Sequence, residues 1–216
     1  MDLLSALVLL VFLYQIRPIK SFSKELSVGY LSLDTGKALR GFFALVVIFH
    51  HLSLNISSGL LFRQYSRVGF LAVAIFFFLS GYGLQKSYIS NPNYKDGFLL
   101  KRIPSVLFPY IIITCIFWLL YCASGTVYSL EDIVIHIASG SPIVPYSWYV
   151  INIVIFYVIF WILMRISNHK NAIMLIGGLV SFFAYVVFCR KMGYGEWWYN
   201  ASILLIVGMF WAVYEN

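Results

Sequence analysis

The chain has 216 residues, 62% hydrophobic and only 11% charged, with a net charge of +7. A water-soluble domain carries about 25% charged residues and must cover its surface with polar groups, so this composition excludes a soluble globular protein and makes lipid the solvent for much of the chain. The excess positive charge then belongs to the loops that orient membrane helices rather than to a nucleic-acid partner.

Seven apolar stretches follow in chain order, at residues 3–16, 38–54, 68–88, 104–122, 148–164, 172–188 and 199–214. A spanning helix needs about 17–25 residues, so the first is short. The fold expected is all-α, a polytopic transmembrane helix bundle with about 6–7 spanning helices. Asp2 precedes the first stretch and Arg17, Lys20 and Lys24 follow it, the reverse of a signal peptide. This places the N-terminus outside the cytoplasm. With all seven stretches spanning, eleven of the fifteen Lys and Arg residues fall in inner loops and four, Arg63, Arg67, Arg190 and Lys191, in outer ones, as the positive-inside rule requires. The expected location is the cell membrane, multi-pass. Residues 1–34 read as an N-terminal apolar helix with a basic cytoplasmic linker, and 35–216 as the main membrane domain. The longest polar connection, 123–147, contains a helical-looking piece at 130–137 that suits the membrane surface. Cys115, Cys122 and Cys189 sit inside apolar stretches with no metal-ligand spacing, so no metal is expected.

The second stretch carries the chemistry. Two histidines, His50 and His51, close an apolar run that begins just after Arg40. Ionisable groups inside a spanning helix are costly and usually face the protein interior or a water-filled path. At about 100° per residue, Arg40 and His51 differ by only about 20° around the axis and are separated by about 16 Å of rise. His50 is turned about 80° from Arg40. One face thus bears a cation at its inner end and an imidazole in its outer half. An imidazole can take a proton from a hydroxyl near neutral pH. The structural alternative makes Arg40 an interfacial anchor and the histidines interfacial residues. In the third stretch, the small residues Ser80 and Gly81 beside Tyr82 read as helix packing. Lys101 and Arg102 sit at the inner boundary before the fourth stretch, where they either anchor the helix or bind the phosphates of a cytoplasmic ligand. Pro109 is expected to kink that helix.

Four segments in order resemble the acyltransferase 3 family of integral membrane O-acyltransferases. Arg40, ten residues and then His51 resemble its arginine–histidine signature. Residues 69–81, running on to Tyr82, resemble its second motif helix. Residues 98–110 resemble its cationic segment ending in Pro-Tyr, and Ser147-Trp148-Tyr149 its next helix start. The resemblance covers roughly 35–216. It implies transfer of an acyl group, most often acetyl in O-acetylation, from cytoplasmic acyl-CoA to a hydroxyl of an extracytoplasmic polysaccharide or other glycan of the cell envelope. His51 would be the catalytic base or an acyl relay. Arg40 would hold the donor or the site geometry, and Arg102, with Lys101, would contact CoA. The expected partners are membrane lipid, acyl-CoA as co-substrate and a carbohydrate acceptor, with no bound cofactor. The family usually carries an acidic residue where Ala74 stands and often a second arginine where Ser105 stands. It also has more spanning helices than this chain offers, so the sequence reads as the N-terminal part of a member. The competing classes are a non-catalytic relative and a transporter or channel component with Arg40 and His51 lining a pathway.

Overall fold

The computed structural model describes residues 1–15, 31–56, 59–91 and 93–215. Arg17, Lys20 and Lys24, on which the N-terminal orientation leans, lie outside the described residues. Among those described, the regular structure is helical throughout: α1 (Asp2–Gln15), α2 (Leu33–Ser53), α3 (Gly69–Ser90), α4 (Phe98–Ala123), α5 (Leu130–Ala138), α6 (Trp148–Ser167), α7 (Asn171–Lys191) and α8 (Ile203–Tyr214), with short 3₁₀ helices at Phe62–Arg67 and Glu196–Trp198.

Each apolar stretch became a helix, but several boundaries moved. Helix α2 starts at Leu33, five residues before its apolar run, because the Ser32 hydroxyl accepts the Thr35 backbone N–H at 3.2 Å. This N-cap satisfies one of the donors a helix start leaves open. Helix α4 starts at Phe98 and runs without a break through Pro104 and Pro109. Gly97, at φ +67°, turns the chain into it with a backbone that only glycine adopts freely. Pro104 falls within its second turn. Helix α8 starts late, at Ile203, since residues 199–202 form turns after the 3₁₀ helix at Glu196–Trp198. Five stretches are long and apolar enough to cross a membrane: α3, α4, α6, α7 and the run Glu196–Tyr214. Helix α2 has the length, at 21 residues, but Asp34, Lys37 and Arg40 dilute its first half. Helix α1 has 14 residues, short of the usual span. The protein is a multi-pass membrane protein with an all-α fold, and five clear spans agree roughly with the six or seven expected.

The described chain divides into two compact units, Met1–Leu79 and Ser80–Asn216, the division falling inside α3. In the first, Val46, Phe49, Phe62, Tyr65 and Ala72 form a buried cluster. The rings of Phe49 and Tyr65 meet edge-on at 5.1 Å, the arrangement their quadrupoles favour. The Asp2 carboxylate accepts the N–H groups of Leu60 and Phe62, each at 2.9 Å, and so ties the start of α1 to the start of the Phe62–Arg67 helix.

In the second unit α6 packs against α4 and α7, and α7 against α8. Its core includes Phe156, Phe160, Met164, Met174, Leu205 and Met209. Gly177 and Gly178 on α7 meet Leu163 of α6 and Ile206 of α8, respectively, so the small residues let both neighbours close on α7. Helix α4 leaves Ile111, Ile113, Ile116, Leu119 and Leu120 open. In a membrane that face meets acyl chains.

Candidate active site

Helix α2 is unbroken from Leu33 to Ser53, so its regular geometry carries Arg40 and His51 onto one line with about 16 Å of rise between them. The face that packs inward bears Val46, Phe49 and Ser53. These lie roughly 140–160° around the helix from His51. The Arg40–His51 line lies off that face, although Val47, between them on the same line, packs against the core cluster. Arg40 and Ala44 along it are exposed and His51 is half-buried. The Arg40 guanidinium donates from Nη2 to the Leu79 carbonyl oxygen at 3.1 Å. This bond holds one arm of the fork and aims the head group. At that separation the two side chains cannot both touch one reacting atom.

His50 has a different environment. Its Nδ1 lies 2.9 Å from the Tyr65 carbonyl oxygen, and its ring covers Gly69 so closely that a Cβ there would overlap the imidazole. The two histidine rings are 5.0 Å apart, tilted by 56°. The last turn of α2 is also tied locally. The Ser53 hydroxyl donates to the His50 carbonyl at 2.7 Å, and the Asn55 side-chain amide to the His51 carbonyl at 3.2 Å.

Lys101 and Arg102 lie in the other unit, at the start of α4. With Asn91, Asn93, Tyr94, Asp96 and Phe98 they line a small open basin of about 100 Å³. Arg102 donates to the Tyr94 hydroxyl at 2.9 Å and is half-buried, while Lys101 is exposed. Two cations and two amides suit an anion such as a phosphate, while the Asp96 carboxylate in the same lining opposes one. The basin is too small for a whole nucleotide. Ser105, one turn on, turns its hydroxyl back to the Arg102 carbonyl at 2.7 Å. Ala74 is 8% exposed and sits among core residues, an apolar setting for a position where an acidic group was the family expectation.

Ser80, Gly81 and Tyr82 pass through the crowded middle of α3. A Cβ on Gly81 would overlap the Leu205 carbonyl of α8, so the backbones touch there. Tyr82 donates to Glu215 Oε1 at 2.9 Å. At the start of α6, the Trp148 ring lies 6.3 Å from that of Trp198 and 6.3 Å from that of Tyr149, while the Ser147 hydroxyl donates to the Val144 carbonyl at 2.9 Å. These contacts lie within the second unit, between α3 and α8 and around the start of α6. Tyr65 and Tyr94 were not singled out from the sequence. The part of Tyr65 that matters to His50 is a main-chain carbonyl, which no residue type advertises. Tyr94 lies in a polar loop eight residues before its partner.

A family model described as an acyltransferase domain matches residues 31–216. No curated protein and no solved structure matches the chain.

Proposed function

Because the chain belongs to the acyltransferase 3 family of integral membrane proteins, we propose that it moves an acyl group, acetyl in the first instance, from cytoplasmic acyl-CoA to a hydroxyl of an extracytoplasmic glycan. The observation that carries this reading is the single unbroken helix bearing a guanidinium and an imidazole on one line. In the reaction His51 accepts the proton of the acceptor hydroxyl. The oxygen attacks the thioester carbonyl carbon, the C–S bond breaks, and the proton leaves with sulfur to give free CoA and an ester. Arg40 lies about 16 Å along the same helix, on the side from which the donor arrives. There it holds a negatively charged or carbonyl part of the long, thin donor while the thioester end extends toward His51. The Lys101–Arg102 basin, with room for a phosphate, takes one of the anionic groups of CoA. The positive-inside count supports an orientation with Lys101 and Arg102 at the cytoplasmic boundary.

The test uses everted membrane vesicles containing the full chain and acetyl-CoA labelled in the acetyl group. Label should appear on vesicle glycan, and His51→Ala should lower transfer by about 10²–10⁴-fold, the range for a lost general base. Absence of label with intact, membrane-inserted protein would favour a non-catalytic relative. A solute flux dependent on His51, without transfer, would favour a transport component.

A further inference from the structure

We infer that His50 is a positioning residue for His51: a latch that bolts the last turn of α2 to the chain entering α3 and holds it in one rotational setting. This rests on the acyl-transfer reading of His51 and adds a role for its neighbour. The final turn of a helix is where fraying starts, because its carbonyls lack intrahelical donors. The bonds made there by Ser53 and Asn55 stay within the same turn and cannot set its direction relative to other elements. His50 does reach across. Its Nδ1 is 2.9 Å from the Tyr65 carbonyl, fifteen residues on. A carbonyl oxygen only accepts, so Nδ1 carries the proton and Nε2 of a neutral ring keeps its lone pair. The ring then lies flat over Gly69, in a space that any side chain at 69 would fill. Phe49, the residue before, is locked edge-on against Tyr65 at 5.1 Å. Hydrogen bond, glycine seat and ring contact all act on residues 49 and 50. The backbone they immobilise is the one from which His51 projects, its ring 5.0 Å from that of His50.

A latch makes three demands. An asparagine at 50 places its side-chain amide nitrogen as many bonds from the backbone as Nδ1, so it should keep the bond to the Tyr65 carbonyl. An alanine should lose it. A methyl group at 69 should unseat the ring, and should do nothing more once the ring is gone.

The experiment compares wild type, His50→Asn, His50→Ala, Gly69→Ala and the His50→Ala/Gly69→Ala double variant as full chains in membranes, at equal amounts of inserted protein. Two readouts are taken: acetyl transfer, and the rate at which diethyl pyrocarbonate modifies His51, followed by mass spectrometry. Expected are a fall in kcat of up to about tenfold for His50→Ala, the scale of one lost partly buried hydrogen bond, with KM for acetyl-CoA unchanged. His50→Asn should recover most of it. Gly69→Ala should fall as His50→Ala does, with no further loss in the double variant. The modification rate of His51 should change several-fold in His50→Ala and return in His50→Asn. The inference is overturned if His50→Ala leaves both readouts unchanged, if the two single effects add, or if His50→Asn is as damaged as His50→Ala, which would make the imidazole itself the needed group. Should wild type transfer nothing, the acyl-transfer reading fails by that result alone. The modification rates still decide whether residue 50 holds residue 51.

Discussion

Glu215 accepts hydrogen bonds from Tyr82 and Lys86. Its side chain is 8% exposed, against 43% for Lys86. Removing the lysine leaves a largely buried carboxylate with the Tyr82 hydroxyl but without its counter-charge, whereas Gln at 215 keeps an acceptor and removes the charge. Lys86→Met is therefore expected to destabilise the protein by about 1–3 kcal/mol, less than a fully buried broken pair because Lys86 is partly solvated. Glu215→Gln should cost clearly less. Unfolding followed in detergent measures both. At the same scale Arg40 offers a fork where Lys would offer a point charge. One arm is occupied by the Leu79 carbonyl, so on the acyl-transfer reading Arg40→Lys keeps the charge but loses the planar fork that sets the second arm toward the donor. The expected outcome is a raised KM for acyl-CoA with a smaller change in kcat, read from steady-state transfer.

At the scale of the element, α3 and α8 meet through backbone. Gly81→Ala drives a methyl group into the Leu205 carbonyl, and a carbonyl in a helix has no alternative rotamer to take. Overpacking of this kind costs roughly 1–3 kcal/mol or more, so the variant should unfold at lower denaturant than Gly83→Ala, where a Cβ meets open space. Helix α5 stands on a capping box. The Ser129 hydroxyl accepts the Asp132 N–H at 3.1 Å and the Asp132 carboxylate accepts the Ser129 N–H at 2.8 Å. The Ser129 hydroxyl also donates to that carboxylate, and this bond, followed by the one from the backbone, holds the Asp132 carboxyl below its ordinary pKa of 3.8. A depressed carboxyl stabilises the folded form fully above the ordinary value, and the gain is lost as pH falls through the lower folded value. Amide exchange over residues 130–138, taken relative to its intrinsic rate at each pH, should therefore speed up only below about pH 4. Ser129→Ala should speed it roughly fivefold at neutral pH, the scale of a lost cap. Leu130 and Val134, on the apolar side of α5, are 83% and 64% exposed, which fits a helix lying at the membrane surface.

For the whole molecule the decisive prediction concerns sidedness. Helix α7 has Lys170 just before it and Arg190 and Lys191 in its last turn. The charge count puts the first inside and the other two outside. Cysteines introduced at Lys170 and at Met192 should react with a membrane-impermeant maleimide from opposite faces, Met192 in right-side-out cells and Lys170 only in everted vesicles. Reaction of both from one face would remove the topology and, with it, the placement of donor and acceptor.

Much of this protein is legible without coordinates because helices in lipid are local objects. A run of apolar residues long enough to span must satisfy its own backbone, so helices sit at or close to all seven stretches. The shared line of Arg40 and His51 is likewise local, since eleven residues of one uninterrupted helix fix it. The boundaries moved where a cap or a turn outweighed hydrophobicity, as at Ser32 and at Gly97 before α4. Beyond the reach of pattern were the contacts between distant parts of the chain. These include the seat of His50 on Gly69, the bond from Arg40 to Leu79, Gly81 against Leu205, and Glu215 joined to Lys86 across 129 residues. Composition and periodicity report what one helix does with its solvent. Which helix lies beside it, and which carbonyl or carboxylate that brings within hydrogen-bonding distance, depends on packing through space, and only the tertiary structure decides it.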